Sequence, residues 1–87
     1  MNYQEKELLV KKILYQSCNR GCKETDIIIG GFAKKYVNSM SDDDLMSFLE
    51  IIRLPDADIY DWYTKKKPVP KEKASKLLLE ILQFSPN

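Results

Sequence analysis

A helical stripe running from Gln4 to Cys18 breaks at Arg20-Gly21-Cys22-Lys23-Glu24, and this break constrains the fold more than any other stretch. Before it, Leu8, Leu9, Ile13 and Leu14, with Val10 and Tyr15 beside them, follow helical spacing, while Lys6, Lys11 and Lys12 take the other side. Asn19 to Gly21 supply the stop. Gly21 permits a positive φ and, lacking a Cβ, leaves room for another backbone or a flat ligand. Arg20 offers a rigid fork of donors and Glu24 offers acceptors, a pair suited to grip complementary groups on a partner. The plainer reading is a helix junction, with glycine as the stop and Glu24 or Asp26 near the next start.

The remaining pattern repeats this punctuation. Ile27-Ile28-Ile29 favours a strand and Gly30-Gly31 a turn, yet Ile28, Phe32 and Tyr36, with Ile29 and Ala33, recur at helical spacing. A helix is expected from Asp26 to Val37, capped by Thr25 or Asp26. Its two glycines each cost roughly 1 kcal/mol relative to alanine, which predicts close packing or a bend. Ser41-Asp42-Asp43-Asp44 starts another helix, with Leu45, Phe48, Leu49 and Ile52 as its stripe and Pro55 as its stop. Asp56-Ala57-Asp58 starts a fourth, with Ile59 and Trp62 facing the core and Tyr60 and Asp61 on another face. It runs into Lys65-Lys66-Lys67, read as dipole-matched charge at a helix end in preference to a nucleic-acid patch. After Pro68-Val69-Pro70 a last helix is expected from about Lys71 to Gln83, with Ala74, Leu77, Leu78, Ile81 and Leu82 on its apolar side. Five short helices with brief connections predict an all-α, compact antiparallel bundle, a single domain over residues 1–87.

Composition narrows the chemistry. A hydrophobic content of 44% with 31% charged residues fits a soluble globular chain, and a net charge of +1 supplies no global field for nucleic acid. The polar, acid-containing start Met1 to Lys6 resembles neither a secretory signal nor a transit peptide. Histidine is absent, which removes the commonest general base and metal ligand. Cys18 and Cys22 are the only cysteines and lack further zinc ligands, so free thiols are expected ahead of a disulfide. Asp42 to Asp44 sit at a helix start without companion ligands, which argues against a metal site. Cys22, beside Arg20, is the one thiol placed as a candidate nucleophile, but no partner spacing accompanies it. The residues therefore point to a binding protein with no catalytic residue and no metal, its unusual surface lying between Arg20 and Asp26.

The order of features resembles the SdhE/Sdh5 family, small assembly factors that promote covalent FAD attachment to the flavoprotein subunit of succinate dehydrogenase. Its signature, Arg-Gly-x-x-Glu, is matched by Arg20, Gly21 and Glu24. The context agrees: Cys18-Asn19-Arg20-Gly21, Glu24-Thr25-Asp26, Phe32 and Tyr36, Ser41-Asp42-Asp43, Leu49-Glu50, and Asp56-Ala57-Asp58-Ile59-Tyr60-Asp61-Trp62. The match covers about residues 7 to 82 at nearly constant spacing. It implies a five-helix fold and a chaperone-like assembly role on the flavoprotein subunit, with the related subunit of fumarate reductase as a second client. It implies partner-binding residues at Arg20, Gly21, Glu24, Asp26, Tyr60 and Trp62, although Trp62 also reads as core. FAD would belong to the client, and no cofactor would stay bound to this chain.

Two features depart from the common pattern of that family. Asn19 stands where many members place a second arginine, and Gly30-Gly31 replaces larger or proline-containing sequence. A small helical DNA-binding or antitoxin-like module is the alternative, which the charge balance disfavours. A monomer is expected, with no membrane insertion because no apolar run approaches the roughly 20 residues a bilayer requires, and the bacterial cytoplasm is the simplest location, since a mitochondrial relative would need a longer N-terminal extension.

Overall fold

The computed structural model describes residues 1–85, and among these it contains helices and connecting turns only. Helix α1 (Tyr3–Cys18) is capped by Asn2, whose side chain accepts the Glu5 N–H at 2.8 Å and donates to the Glu5 carboxylate at 3.0 Å. Helix α2 spans residues 23–36 in three continuous parts: α-helical Lys23–Thr25, π-helical Asp26–Gly30 and α-helical Gly31–Tyr36. A 3₁₀ turn, Val37–Ser39, closes it. Helices α3 (Asp42–Ile52), α4 (Asp56–Tyr63) and α5 (Lys76–Leu82) follow. The five expected helices are all present.

Apolar spacing accounts for most of the core. Leu45, Phe48, Leu49 and Ile52 of α3 are buried as their spacing predicts, with Ile51 and Met40 added. Ile59 and Trp62 of α4, and Leu77, Leu78 and Ile81 of α5, complete that side. Each such side chain stabilises the fold by roughly 1.5–3 kcal/mol when fully buried. Ser41 caps α3 by accepting the Asp44 N–H at 3.2 Å, and three aspartates occupy the first turn.

The middle of α2 resolves the conflict between its isoleucines and its glycines. The π-helical segment carries Ile28, Ile29 and Gly30 into the interior and leaves Ile27 outside. A Cβ placed on Gly30 would lie 3.1 Å from Cys18 Sγ and 3.2 Å from the Ser17 carbonyl oxygen. Glycine is therefore favoured there, since a Cβ would press into the α1 backbone and the Cys18 side chain. Ser17, fully buried, serves the same contact by being small, and its hydroxyl has no partner among the described residues.

Several expectations are corrected. Leu8 and Tyr15 are exposed, and α1 buries Ile13 and Ser17, with Leu9, Val10 and Leu14 half-buried. Its apolar residues cover more of the circumference than its neighbours do. Helix α2 starts at Lys23 with Cys22 as its cap residue, not at Thr25 or Asp26. Helix α5 starts at Lys76, because Ser75 caps it by accepting the Leu78 N–H at 3.1 Å. Residues 71–73 form a separate turn, and Ala74 is exposed.

The lysine run also lies outside its helix. Lys65 adopts φ 62°, its N–H donates to the Trp62 carbonyl at 3.1 Å, and the Lys66 N–H donates to the Asp61 carbonyl at 2.8 Å. These two bonds make a Schellman cap with lysine in the left-handed position that glycine normally holds. The lysines thus stand at a capped helix end, as expected, beginning one residue beyond the C-cap Thr64.

Two stability predictions follow from these contacts. Gly30→Val should destabilise the fold by about 2–3 kcal/mol in urea denaturation, because the α1 backbone cannot retreat without opening the core. Lys65→Gly should stabilise it by about 0.5–1 kcal/mol in the same measurement, by relieving the left-handed strain.

Candidate functional site

The break between α1 and α2 is held shut by its own polar groups. The Arg20 backbone N–H donates to the Asp26 carboxylate across the loop, and the Thr25 hydroxyl donates to the Cys22 carbonyl at 3.0 Å. Thr25 is fully buried. Asp26 therefore acts as an internal clasp, and its expected role as a partner contact has this bond beside it.

Arg20 points inward. Its Nε donates to Asp56 Oδ1, its Nη1 to the Ile52 carbonyl at 2.8 Å and its Nη2 to the Leu54 carbonyl at 3.0 Å. The side chain is only 7% exposed. One of these acceptors, the Ile52 carbonyl, is an orphan at the C-terminal end of α3, where a cation also meets the negative end of the helix dipole, and the Leu54 carbonyl lies in the connection to α4. The third stands on the first residue of α4. One guanidinium thus joins the end of α1 to the α3–α4 corner, and it replaces the expected picture of an arginine held out to a partner.

Gly21 lies outside this network and is exposed. No glycine in the chain has a positive φ, so the conformational freedom expected of Gly21 is not used. A Cβ on Gly21 would meet nothing closer than Asp56 Oδ2 at 4.0 Å. Neither backbone strain nor internal packing demands glycine at this position.

Glu24 is exposed, one turn further along. The Cys22 thiol donates to its Oε2 at 3.2 Å. That bond, its own backbone N–H at the helix start and the neighbouring Lys23 hold its carboxyl below the usual carboxylate range. Glu24 is therefore a permanent anion at neutral pH. Cys18 and Cys22 are free thiols, each half-buried.

The first turn of α2 packs on α4, which brings the second expected cluster alongside the first. Tyr60 follows Asp56 by four residues, shares its helix face and is 39% exposed. Trp62 is 8% exposed and belongs to the core. The structure therefore brings Gly21 to Asp56 and places Tyr60 on the Asp56 face of α4, with Arg20 and Asp26 in the polar network of the same junction and Trp62 in the core. Asp56 enters this group although sequence reasoning assigned it only to a helix start; its charge at that start gave no sign of its long-range bond.

A cleft of about 570 Å³ lies elsewhere, between α2, α3 and the end of α5. Phe32, Tyr36 and Phe84 line it in tilted and edge-on contacts, and Lys35 Nζ stands 5.5 Å from the Tyr36 ring centre. No described helix is long and apolar enough to cross a membrane.

Comparison with known proteins gives a consistent set of relatives. A family model described as "Flavinator of succinate dehydrogenase" matches residues 11–85. The chain is 40% identical over 80 residues to succinate dehydrogenase assembly factor 2, mitochondrial, of Saccharomyces cerevisiae (strain ATCC 204508 / S288c), covering 87% of this chain and 49% of that protein. Identity to the protein of the same name from Dictyostelium discoideum is 38% over 74 residues, covering 85% of this chain and 52% of that protein. The FAD assembly factor SdhE of Acetobacter pasteurianus is 32% identical over 75 residues, covering 86% and 69% respectively. The chain spans about half the length of the first two relatives.

The geometry divides the Arg-Gly-x-x-Glu pattern into a folding part and a surface part. Arg20→Met should lower stability by about 2–4 kcal/mol in thermal or urea melts, since it leaves two carbonyls and a carboxylate unpaired. Glu24→Ala should stay within about 0.5 kcal/mol of the unaltered chain in those melts.

Proposed function

We infer the function from family membership: this chain belongs to the flavinators of succinate dehydrogenase, and we propose that it binds that enzyme's flavoprotein subunit and promotes FAD attachment there. One observation carries the proposal to a particular surface. Gly21 is exposed, uses no glycine-only conformation and clashes with nothing if a Cβ is added, so its bareness serves something outside the chain. Close approach of a client backbone is the natural use of such a spot.

Gly21 and Glu24 form the contact face, with Tyr60 beside them. Arg20 and Asp26 act beneath it by fixing the loop, and Trp62 acts through the core. The constant charge of Glu24 suits a charge-assisted hydrogen bond to the client. A rigid, preformed face of this kind reduces the ordering cost of association.

The chain contributes no chemistry of its own in this reading. It holds no histidine, so a histidine that becomes linked to the flavin must come from the client, which also carries the FAD. By binding the immature client in the arrangement that aligns flavin and acceptor, the helper lowers the barrier through orientation. Tighter binding to the immature form than to the finished one permits release. The related subunit of fumarate reductase is a second client on the same reading.

Mixing the apo-subunit, FAD and purified protein should raise covalent flavin fluorescence on a denaturing gel above the protein-free control. Gly21→Arg and Glu24→Ala should each remove most of the gain while leaving the melts intact. No gain with the unaltered protein, or a full gain with both variants, rejects the proposal. Substituting the fumarate reductase subunit in the same assay tests the second client.

A further inference from the structure

We propose that Asp56 is a client contact that the Arg-Gly-x-x-Glu pattern does not contain, its Oδ2 receiving a cationic side chain, arginine or lysine, of the flavoprotein subunit. This inference rests on the client reading above and identifies the chemistry that surface would meet. The Asp56 carboxylate is divided between two tasks. Oδ1 accepts from Arg20 Nε, whereas Oδ2 has no donor among the described residues. The side chain is 25% exposed, so it is partly withdrawn from water without being enclosed.

Oδ2 is directed at the bare glycine. It is the nearest atom to the point where a Gly21 Cβ would stand, at 4.0 Å. Any side chain on residue 21 would therefore rise beside Oδ2 and narrow its access from solvent. Glycine keeps the acceptor open, which gives its bareness a chemical purpose beyond close approach.

Arg20 fixes the orientation of this acceptor. Its bonds to the Ile52 and Leu54 carbonyls hold the guanidinium plane, and the guanidinium in turn holds the carboxylate. Arg20 is thus a positioning residue for Asp56. An ionised carboxylate has room for about four hydrogen bonds, and one oxygen here is left without any inside the chain. A charged donor satisfies such a group best, and the flat surface over Gly21 admits a planar guanidinium or a slender ammonium. No ion pair links Asp56 to a lysine of this chain among the described residues. Glu24, an anion on the same junction, adds to the attraction for a cation.

The test measures binding to the purified apo-subunit for the unaltered chain, Gly21→Arg and Asp56→Asn, each at low and at moderate salt. In Asp56→Asn the amide oxygen still accepts from Arg20 but the guanidinium loses its counter-charge, so the melt should shift down while remaining cooperative. Its affinity should fall about 10- to 100-fold, and its binding should depend less on salt. Unaltered affinity and salt dependence in Asp56→Asn, with binding lost in Gly21→Arg, overturns the inference and leaves the client reading standing. No binding by the unaltered chain overturns both. Should Asp56→Asn lose its cooperative melt, the unaltered protein decides the matter by carboxylate labelling with a carbodiimide and glycine ethyl ester. Asp56 should label in the free chain and be protected in the complex; equal labelling in the two states rejects the contact.

Discussion

The guanidinium of Arg20 ties the segment after α1 to the corner between α3 and α4. It takes the Ile52 carbonyl at the end of α3, the Leu54 carbonyl of the connection and a carboxylate at the start of α4, while its own residue follows the α1 cap, Asn19. A side chain with fewer separately directed donors cannot do this, because the Ile52 and Leu54 carbonyls and the Asp56 carboxylate each take one. Lysine would offer a point charge in place of a planar fork with separately directed donors. The surface that carries Gly21 and Glu24 inherits its shape from this buried bond network.

Beneath that network the helices meet in two ways. Helices α3, α4 and α5 bury large apolar side chains, and their contacts are tolerant of detail provided that volume is kept. Helices α1 and α2 meet through Ser17 and Gly30, where the backbones are too close to admit a methyl group without movement. The π-helical segment Asp26–Gly30 makes this possible, since its extra residue per turn shifts Gly30 toward α1 while Ile28 and Ile29 stay in the core. The loop from Asn19 to Cys22 is thus anchored on one side by a polar cluster and on the other by a glycine contact. An anchored loop is a suitable platform for a partner that must be held in one orientation.

The chain belongs to the family described as flavinators of succinate dehydrogenase, and the geometry suggests how the Arg-Gly-x-x-Glu pattern is divided. Arg20 is required by the fold. Gly21 and Glu24 are not required by it, and Asp56, outside the signature, is required by the fold through one oxygen and free at the other. A sequence pattern groups these residues because they travel together along the chain. Their physical roles differ because burial differs.

The sequence by itself determined the five helices, the stripes of α3 and α4, the Ser41 cap and the unusual character of the stretch from Arg20 to Glu24. These are local matters: spacing, capping and stop signals act within a few residues. Only the tertiary structure decided which face of α1 is covered, since Leu8 and Ile13 are equally apolar and differ only in what packs beside them. It decided as well that Arg20 turns inward and that Gly30, not Gly21, is the glycine the packing needs. The reason is the same in each case. The partners of Arg20 lie 32 to 36 residues along the chain, and the backbone that confronts Gly30 belongs to another helix, so donors and bare positions are visible locally while what they meet is set by packing.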